Sequence, residues 1–131
     1  MLELARREGT GPVTIAQIAE SQQIPARFLE AILRQLKQGS LAASQRGKDG
    51  GYFLARPASE IVAGEIVRMF EGPLVAFSAT GRSTRKNRAV YEELLEEGRE
   101  ALAGVFDHRR LSDLVRRDDE LSREYVENYT I

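Results

Sequence analysis

The feature that most constrains the fold of this chain is a glycine-rich, basic segment, Ser44–Pro57, with the sequence SQRGKDGGYFLARP. Its Asp-Gly and Gly-Gly steps supply the positive φ angles that a tight hairpin turn requires. Tyr52 and Leu54 would face one side of the returning strand, and Phe53 would face the other. Pro57 has no amide hydrogen to donate and would end that strand. The segment therefore predicts an antiparallel β-hairpin.

Basic side chains concentrate around this hairpin. The 131-residue chain has a net charge of −1, yet residues 27–57 carry six basic and two acidic side chains. Residues 92–131 carry six basic and twelve acidic side chains. A hairpin does not need cations to fold, so the three that flank this one, Arg46, Lys48 and Arg56, indicate a wing that reaches toward a polyanion such as DNA. An ordinary solvated surface is the alternative explanation.

Two short helices joined by a tight turn are predicted just before the hairpin. Thr14 and Gln17 form a capping-box pattern at the start of the first helix. Ser21–Ile24 forms the turn, and Pro25 opens the second helix because its fixed φ suits that position. Gly39 would cap the end of the second helix. Apolar residues in this helix recur at three- and four-residue steps and should be buried: Phe28, Leu29, Ile32, Leu33 and Leu36. Its charged residues would point outward: Arg27, Glu30, Arg34 and Lys37.

This pattern is typical of a helix-turn-helix, although an αα-hairpin used only for packing would also show it. The basic hairpin that follows favours the first interpretation, and together the two features predict a winged helix-turn-helix. Met1–Glu8 should form a short helix in front of it. Ile61–Glu71 should form an amphipathic helix behind it, ended by Gly72-Pro73. Ser78–Asn87 is rich in small, polar and basic residues and is predicted to be a mobile loop.

A long helix is predicted from about Lys86 to Arg109. At 1.5 Å per residue it would extend roughly 36 Å, which is long for so small a protein. Its apolar stripe, called the seam below, consists of Tyr91, Leu94, Gly98, Ala101 and Val105 and is flanked by Leu95, Leu102 and Phe106. A small winged domain cannot cover so wide a stripe, which predicts pairing with the same helix of a second copy. A monomer that folds the helix back on itself is the alternative. The predicted dimerisation residues are Tyr91, Leu94, Leu95, Gly98, Leu102 and Val105.

The predicted fold class is mainly α with a small β-hairpin: a winged helix-turn-helix plus a long dimerisation helix. Residues 1–73 would form the winged domain, residues 74–88 a loop, and residues 89–131 the dimerisation helix and a C-terminal tail. Within that tail region, Ser112 would cap a short helix, and residues 118–131 would be acidic and weakly amphipathic.

Composition excludes several classes of protein. The chain has no cysteine and hence no disulfide framework, thiolate metal site or cysteine nucleophile. It shows no apolar run of membrane-spanning length and no signal peptide, so we expect a cytoplasmic protein without a membrane partner. No acid/base pair or nucleophile constellation can be assembled, which argues against an enzyme. His108 is predicted to be a favourable charge at a helix end rather than a metal ligand or pH sensor.

Thr14 through Pro73 closely resembles the bacterial Rrf-two-type transcription regulators, the group that includes the iron–sulfur cluster regulator and the nitric-oxide-sensing repressor. The motifs that carry the resemblance are Ile18-Ala19-Glu20, Phe28-Leu29-Glu30, Leu33–Leu36 and, above all, Arg46-Gly47 followed by Gly50-Gly51-Tyr52 and Leu54-Ala55-Arg56-Pro57. Further matches are Ile66-Val67-Arg68, Glu71-Gly72-Pro73 and Leu111–Val115, so the resemblance covers most of the chain.

The resemblance implies a homodimer bound to double-stranded DNA at a pseudo-palindromic operator. Its recognition helices would enter successive major grooves, and its wings would reach the flanking minor grooves, with Arg46 as the minor-groove residue. The base-reading positions correspond to Pro25, Arg27 and Glu30; small hydroxyl residues are usual at the first two, so the operator should differ from that of the best-known members. Arg27 could donate two hydrogen bonds to guanine, and Glu30 could accept a hydrogen bond from cytosine, although both could be ordinary surface charges. The full predicted DNA-binding set is Pro25, Arg27, Glu30, Arg34, Arg46, Lys48 and Tyr52.

The chain departs from the family pattern in two places. Cluster-binding members supply three cysteines in the segment that corresponds to roughly Ala79–Arg88, whereas this chain has none, so no iron–sulfur cluster or other cofactor is predicted. The family also begins about ten residues earlier, with a basic, aromatic part of the first helix. Either this chain is naturally short or its start is misplaced, and the loss of that part would weaken packing and phosphate contacts.

Two functions remain open at this point. The first is a cluster-free, sequence-specific transcriptional regulator, more specifically a repressor, tuned by a small-molecule or protein effector; some cysteine-poor relatives respond to sulfur or cysteine metabolism. The second is a winged-helix protein-interaction module that has lost DNA binding, which the short front segment and the negative net charge would favour.

Overall fold

The computed structural model describes residues 1–73 and 85–129. Its helices are α1 (Leu2–Arg6), α2 (Ile15–Gln22), α3 (Ala26–Gln38), α4 (Ala63–Glu71), α5 (Arg85–Phe106) and α6 (Leu111–Tyr129), and its strands are β1 (Ala42–Gln45) and β2 (Gly51–Leu54). A single 3₁₀ turn, Ala58–Glu60, links β2 to α4. The mainly helical fold with one two-stranded hairpin confirms the predicted fold class. None of the described helices is both long enough and apolar enough to cross a membrane.

Local sequence signals set the boundaries of α2 and α3. The Thr14 hydroxyl accepts a hydrogen bond from the Gln17 amide at 3.2 Å, and the Gln17 side-chain oxygen accepts one from the Thr14 amide at 2.9 Å. This reciprocal pair is the predicted capping box. Helix α2 continues through Gln22, so the turn is shorter than predicted, and it reverses at Gln23, whose φ is +53°. Pro25 is the N-cap of α3, as its position before the apolar run predicted.

The wing is the hairpin of β1 and β2, with Ala42 opposite Leu54 and Gln45 opposite Gly51. Positive φ angles occur at Gly47 (+113°) and Gly51 (+151°). Gly50 is needed for space instead, because a Cβ there would lie 2.3 Å from the carbonyl oxygen of Gln45. The predicted hairpin is confirmed, and its turn depends on three glycines for two different reasons.

A third stretch of chain pairs with the wing at Val13. Val13 and Tyr52 exchange two backbone hydrogen bonds, each 2.8 Å long. This pairing brings the two chains so close that a Cβ on Gly51 would lie 2.5 Å from the Val13 carbonyl oxygen. The bridge joins the wing to the segment that leads into α2, and only a glycine fits beside it.

Replacing Gly51 with alanine is expected to lower the free energy of unfolding by about 2–4 kcal/mol, because the variant combines a strained φ with an overpacked backbone contact. Gly47→Ala is the matched control, since its φ is also positive but its Cβ would meet no atom within 4 Å. The control should cost only about 1 kcal/mol. Urea unfolding followed by circular dichroism measures both variants, and equal losses would contradict the role given to the Val13 contact.

The described residues form two compact units, the first of which comprises Met1–Ile61 together with α6. Its core is made of aliphatic side chains: Leu4, Val13, Ile18, Leu29, Leu33, Leu36, Leu41, Ile61 and Leu111. Helix α6 is attached to the rest of this unit at two places. The Leu111 amide donates to the Ile61 carbonyl at 2.8 Å. The Arg6 guanidinium of α1 forms ion pairs with Asp118 and Asp119.

Two sequence predictions about this unit are wrong. Phe28 is 52% exposed rather than buried, because it lies at the edge of the apolar stripe of α3. Ser112 does not begin a short helix; it lies inside α6, which continues through the predicted tail to Tyr129. The attachment of α6 to α1 supplies the stabilisation that a weakly amphipathic segment lacks when it stands alone.

The second unit comprises α4 and α5. The Ala63 amide at the start of α4 donates to the Arg109 carbonyl just beyond α5, at 2.8 Å. Helix α5 begins at Arg85, within the stretch predicted as a loop, and ends at Phe106, close to the predicted end. Of the predicted loop, residues 74–88, residues 74–84 lie outside the described residues.

Candidate nucleic-acid interface

Helix α3 presents one polar face opposite its buried leucines. Leu29, Leu33 and Leu36 are at most 4% exposed. The outward face repeats at four- and three-residue steps and is exposed throughout; it consists of Arg27, Ala31, Arg34 and Gln38. The small side chain of Ala31 lies between two arginines, which lets this face approach a flat or grooved surface closely. Ala31 and Gln38 were missed by the sequence prediction, although the 3.6-residue period places them beside Arg27 and Arg34.

The start of α3 is where the predicted base-reading residues lie. Pro25 caps the helix, and its carbonyl accepts hydrogen bonds from the Phe28 and Leu29 amides at 3.0 and 3.3 Å. Arg27 and Glu30 are both exposed in the first turns. The fold therefore brings these residues to one accessible helix end, which is the part of a recognition helix that contacts base edges.

The wing holds two more of the predicted DNA-binding residues. Arg46 and Lys48 are exposed in the loop between β1 and β2. Tyr52 is half-buried, and its backbone is engaged with Val13, so this residue also has a structural role. Arg56, the third predicted wing cation, donates to the Glu60 carbonyl at 3.3 Å and lies against the 3₁₀ turn.

One side-chain hydrogen bond links α3 to the wing. The Lys37 ammonium group donates to the Ser44 hydroxyl on β1 at 2.7 Å. The sequence predicted Lys37 only as an outward charge. The contact, together with the burial of Leu36 and Leu41 on either side of the α3–β1 connection, holds the wing against α3.

Helix α5 exposes the apolar seam in the single chain. Tyr91, Leu94 and Val105 are 59%, 61% and 59% exposed, and Leu102 is 37% exposed. Leu95 is half-buried, and a Cβ on Gly98 would meet no atom within 4 Å. Val90, which the sequence prediction left out, extends the same apolar surface. Apolar side chains gathered in this way on one helix mark an interaction surface.

The ends of the second unit are joined by an ion pair. The Arg68 guanidinium of α4 donates to both carboxylate oxygens of Asp107, just after α5, at 2.6 and 3.2 Å. These hydrogen bonds hold the pKa of Asp107 below its ordinary value of 3.8 and raise the pKa of Arg68. Gly64 makes room for the pair, because a Cβ there would overlap an Asp107 oxygen.

The lowered pKa of Asp107 predicts how the stability of the second unit depends on pH. Because the folded-state pKa lies below the unfolded one, the stabilisation is fully present above about pH 5 and is lost as the pH falls through the lowered pKa. Asp107→Asn should therefore be less stable than the wild type near neutral pH and should approach it in strong acid. Urea midpoints measured across that range test this, with Asp113→Asn as the control. A stability difference that does not change with pH would contradict the prediction.

Comparison with known proteins identifies the family. A sequence profile of the Rrf2 family (the Rrf-two-type regulators), described as iron-dependent transcriptional regulators, matches residues 1–117. The chain belongs to the Rrf2 family. This confirms the resemblance seen in the sequence.

Individual Rrf2 relatives are similar over most of their length. The chain is 30% identical to the HTH-type transcriptional regulator CymR of Bacillus subtilis, over 96% of this chain and 88% of CymR. It is 32% identical to the HTH-type transcriptional regulator IscR of Serratia proteamaculans, over 92% of this chain and 75% of IscR. The solved structure of CymR, described as the global cysteine regulator of B. subtilis, superposes with a TM-score of 0.74 at 30% identity and covers 88% of this chain and 87% of CymR. This Rrf2 protein is accordingly a DNA-binding transcriptional regulator.

The iron that the family description names does not fit the residues of this Rrf2 chain. The chain has no cysteine to ligate an iron–sulfur cluster. In residues 1–73 and 85–129, no three histidine, aspartate or glutamate side chains gather closely enough to hold a metal ion. His108 lies at the end of α5, where its Nδ1 is 2.7 Å from the Gly104 carbonyl oxygen, in keeping with its predicted place at a helix end.

Proposed function

We propose that this Rrf2 protein is a homodimeric repressor that binds a pseudo-palindromic operator without an iron–sulfur cluster. The observation that carries the proposal is the arrangement of cations in the first unit. Arg27 and Arg34 lie on the outward face of α3, Arg46 and Lys48 lie on the wing, and the Lys37–Ser44 hydrogen bond joins the two elements. Five basic side chains on two linked elements favour contact with a polyanion that has both a groove and a backbone.

Each part of this surface has a separate role in the proposal. The first turn of α3 enters the major groove, where Arg27 donates hydrogen bonds to guanine and Glu30 accepts a hydrogen bond from the cytosine amino group. Pro25 and Arg34 lie beside these base contacts. Arg46 enters the flanking minor groove, and Lys48 and Tyr52 support the wing there. The seam of α5 pairs two copies of the chain, which sets the spacing of the two half-sites.

The effector is proposed to be a small molecule or a partner protein rather than a cluster. Because the solved B. subtilis relative is described as a global cysteine regulator, promoters of sulfur-metabolism genes are the first to examine. The proposed direction of regulation is tested by deleting the gene: transcription from the bound promoters should then rise, whereas a fall would indicate an activator.

Selection of DNA from a random library by the purified protein tests the proposed function directly. The expected product is a two-fold symmetric sequence whose half-sites lie about one or two helical turns apart. Electrophoretic mobility shifts should then show one complex on the full site and weaker binding to a half-site. Failure to enrich any sequence, together with a stable protein partner in a pull-down, would instead favour the protein-interaction module.

A further inference from the structure

Phe28 is an apolar side chain left in solvent at the start of the recognition helix. It is 52% exposed, whereas its neighbour Leu29 is 4% exposed. It precedes the half-buried Ile32 by one helical turn and borders the outward face at Arg27 and Ala31. About half of the Phe28 side-chain surface contacts no other part of the protein that the structure describes. Packing of the α3 core therefore does not explain an aromatic ring at this position.

The ring also contacts Arg27, one of the predicted base-reading residues. The guanidinium carbon of Arg27 lies 4.8 Å from the centroid of the Phe28 ring, within the range of a cation–π interaction. One face of the ring is thus occupied by Arg27, and the rest of its exposed surface stays available. Stacking limits the conformations open to the guanidinium, so Arg27 is held in position before any ligand binds.

The chemistry of the major groove matches this pair of side chains. Guanine presents O6 and N7 to a bidentate arginine, and thymine alone among the four bases presents a methyl group, against which phenylalanine packs favourably. Two neighbouring side chains that already contact each other can reach two neighbouring bases. No charged group is needed at the second base, and Phe28 carries none.

We propose that Arg27 and Phe28 form one reading unit, in which Arg27 binds a guanine while the Phe28 ring packs on the 5-methyl group of an adjacent thymine. The inference rests on the proposed function, because it requires that the start of α3 enters the major groove. It adds thymine specificity to the site and assigns Phe28, predicted as a core residue, to the operator interface.

Deoxyuridine substitution tests the methyl contact. In the operator selected by the purified protein, each thymine is replaced in turn by deoxyuridine, symmetrically in both half-sites, which removes the methyl group and keeps base pairing. At one thymine position, this substitution should raise the wild-type Kd roughly 15-fold. The loss of each methyl contact should contribute about fourfold, and the two half-sites together lose two such contacts. The same substitution should change the Kd of Phe28→Ala less than twofold. Phe28→Tyr keeps the ring and should keep the dependence, as should the control Phe70→Ala, which removes a 39% exposed ring from α4.

A second modified base tests the link to Arg27. Replacing the neighbouring guanine with 7-deazaguanine removes one acceptor of the bidentate contact with Arg27. The resulting rise in Kd should be smaller in Phe28→Ala than in the wild type, because the ring no longer holds the Arg27 guanidinium in position. Circular dichroism establishes that the variants are folded. If an operator is selected but no thymine depends on its methyl group, or if the dependence persists in Phe28→Ala, the reading unit is wrong while the proposed function stands. If no operator is selected, both fail.

Discussion

Arg46→Ala is expected to weaken binding to the selected operator about 100-fold at physiological salt. Arg46 is exposed in the wing loop, where its guanidinium can enter a narrow minor groove of strong negative potential. A hydrogen bond to a charged group contributes about 1.5 kcal/mol or more, and the proposed dimer has two wings, so the combined loss is about 3 kcal/mol.

A salt titration measured by fluorescence anisotropy gives both the affinity of Arg46→Ala for the operator and the salt dependence of that affinity. The logarithm of the association constant should fall with the logarithm of salt concentration less steeply in Arg46→Ala, by about one unit of slope for each wing. Arg123→Ala, which removes an exposed arginine from α6, is the control and should leave affinity and slope unchanged. Wild-type affinity and slope in Arg46→Ala would mean that the wing does not contact DNA.

Leu94→Arg is expected to separate the dimer into single chains. Leu94 is 61% exposed in the single chain and belongs to the seam. Pairing through a two-fold axis would bury both copies of this leucine, each contributing about 1.5–3 kcal/mol. Two arginines would instead place like charges close together in a desolvated interface. The dimer dissociation constant should therefore rise by on the order of 10²- to 10⁴-fold.

Light scattering measures this outcome directly. The wild type should have twice the chain mass of 14.7 kDa, and Leu94→Arg should have the mass of one chain. The variant should also bind the full operator no more tightly than a half-site. Glu100→Arg introduces the same side chain away from the seam, with an even larger charge change, and should remain dimeric. A Leu94→Arg protein with unchanged mass would rule out pairing through this face of α5.

The winged helix-turn-helix could be predicted because its boundaries are encoded by neighbouring residues. The capping box of Thr14 and Gln17, the proline before α3 and the glycines of the wing act within three to five residues, and each produces the element expected from it. The positively charged surface was predicted for the same reason, since a 3.6-residue period fixes which side chains share a face of α3.

Contacts between segments distant in sequence were not predicted. The Lys37–Ser44 hydrogen bond, the Val13–Tyr52 pairing and the ion pairs of Arg6 with α6 join elements whose separation no local pattern encodes. The ion pairs of Arg6 hold α6 against α1, which is why α6 is one helix of 19 residues rather than a short helix with a tail. Periodicity likewise grouped Phe28 with the core, because a residue at the edge of an apolar stripe is buried only if a neighbouring element covers it.

The sequence by itself determined the helices and strands of the winged helix-turn-helix, which family the chain resembles, and which side chains of α3 and the wing carry positive charge, because all of these depend on residue identity and short-range spacing. Only the tertiary structure decided how those elements are joined, that Gly51 lies against the Val13 backbone, and that the Phe28 ring is exposed beneath Arg27. Burial and close approach depend on packing between distant segments, and a local pattern does not contain that information.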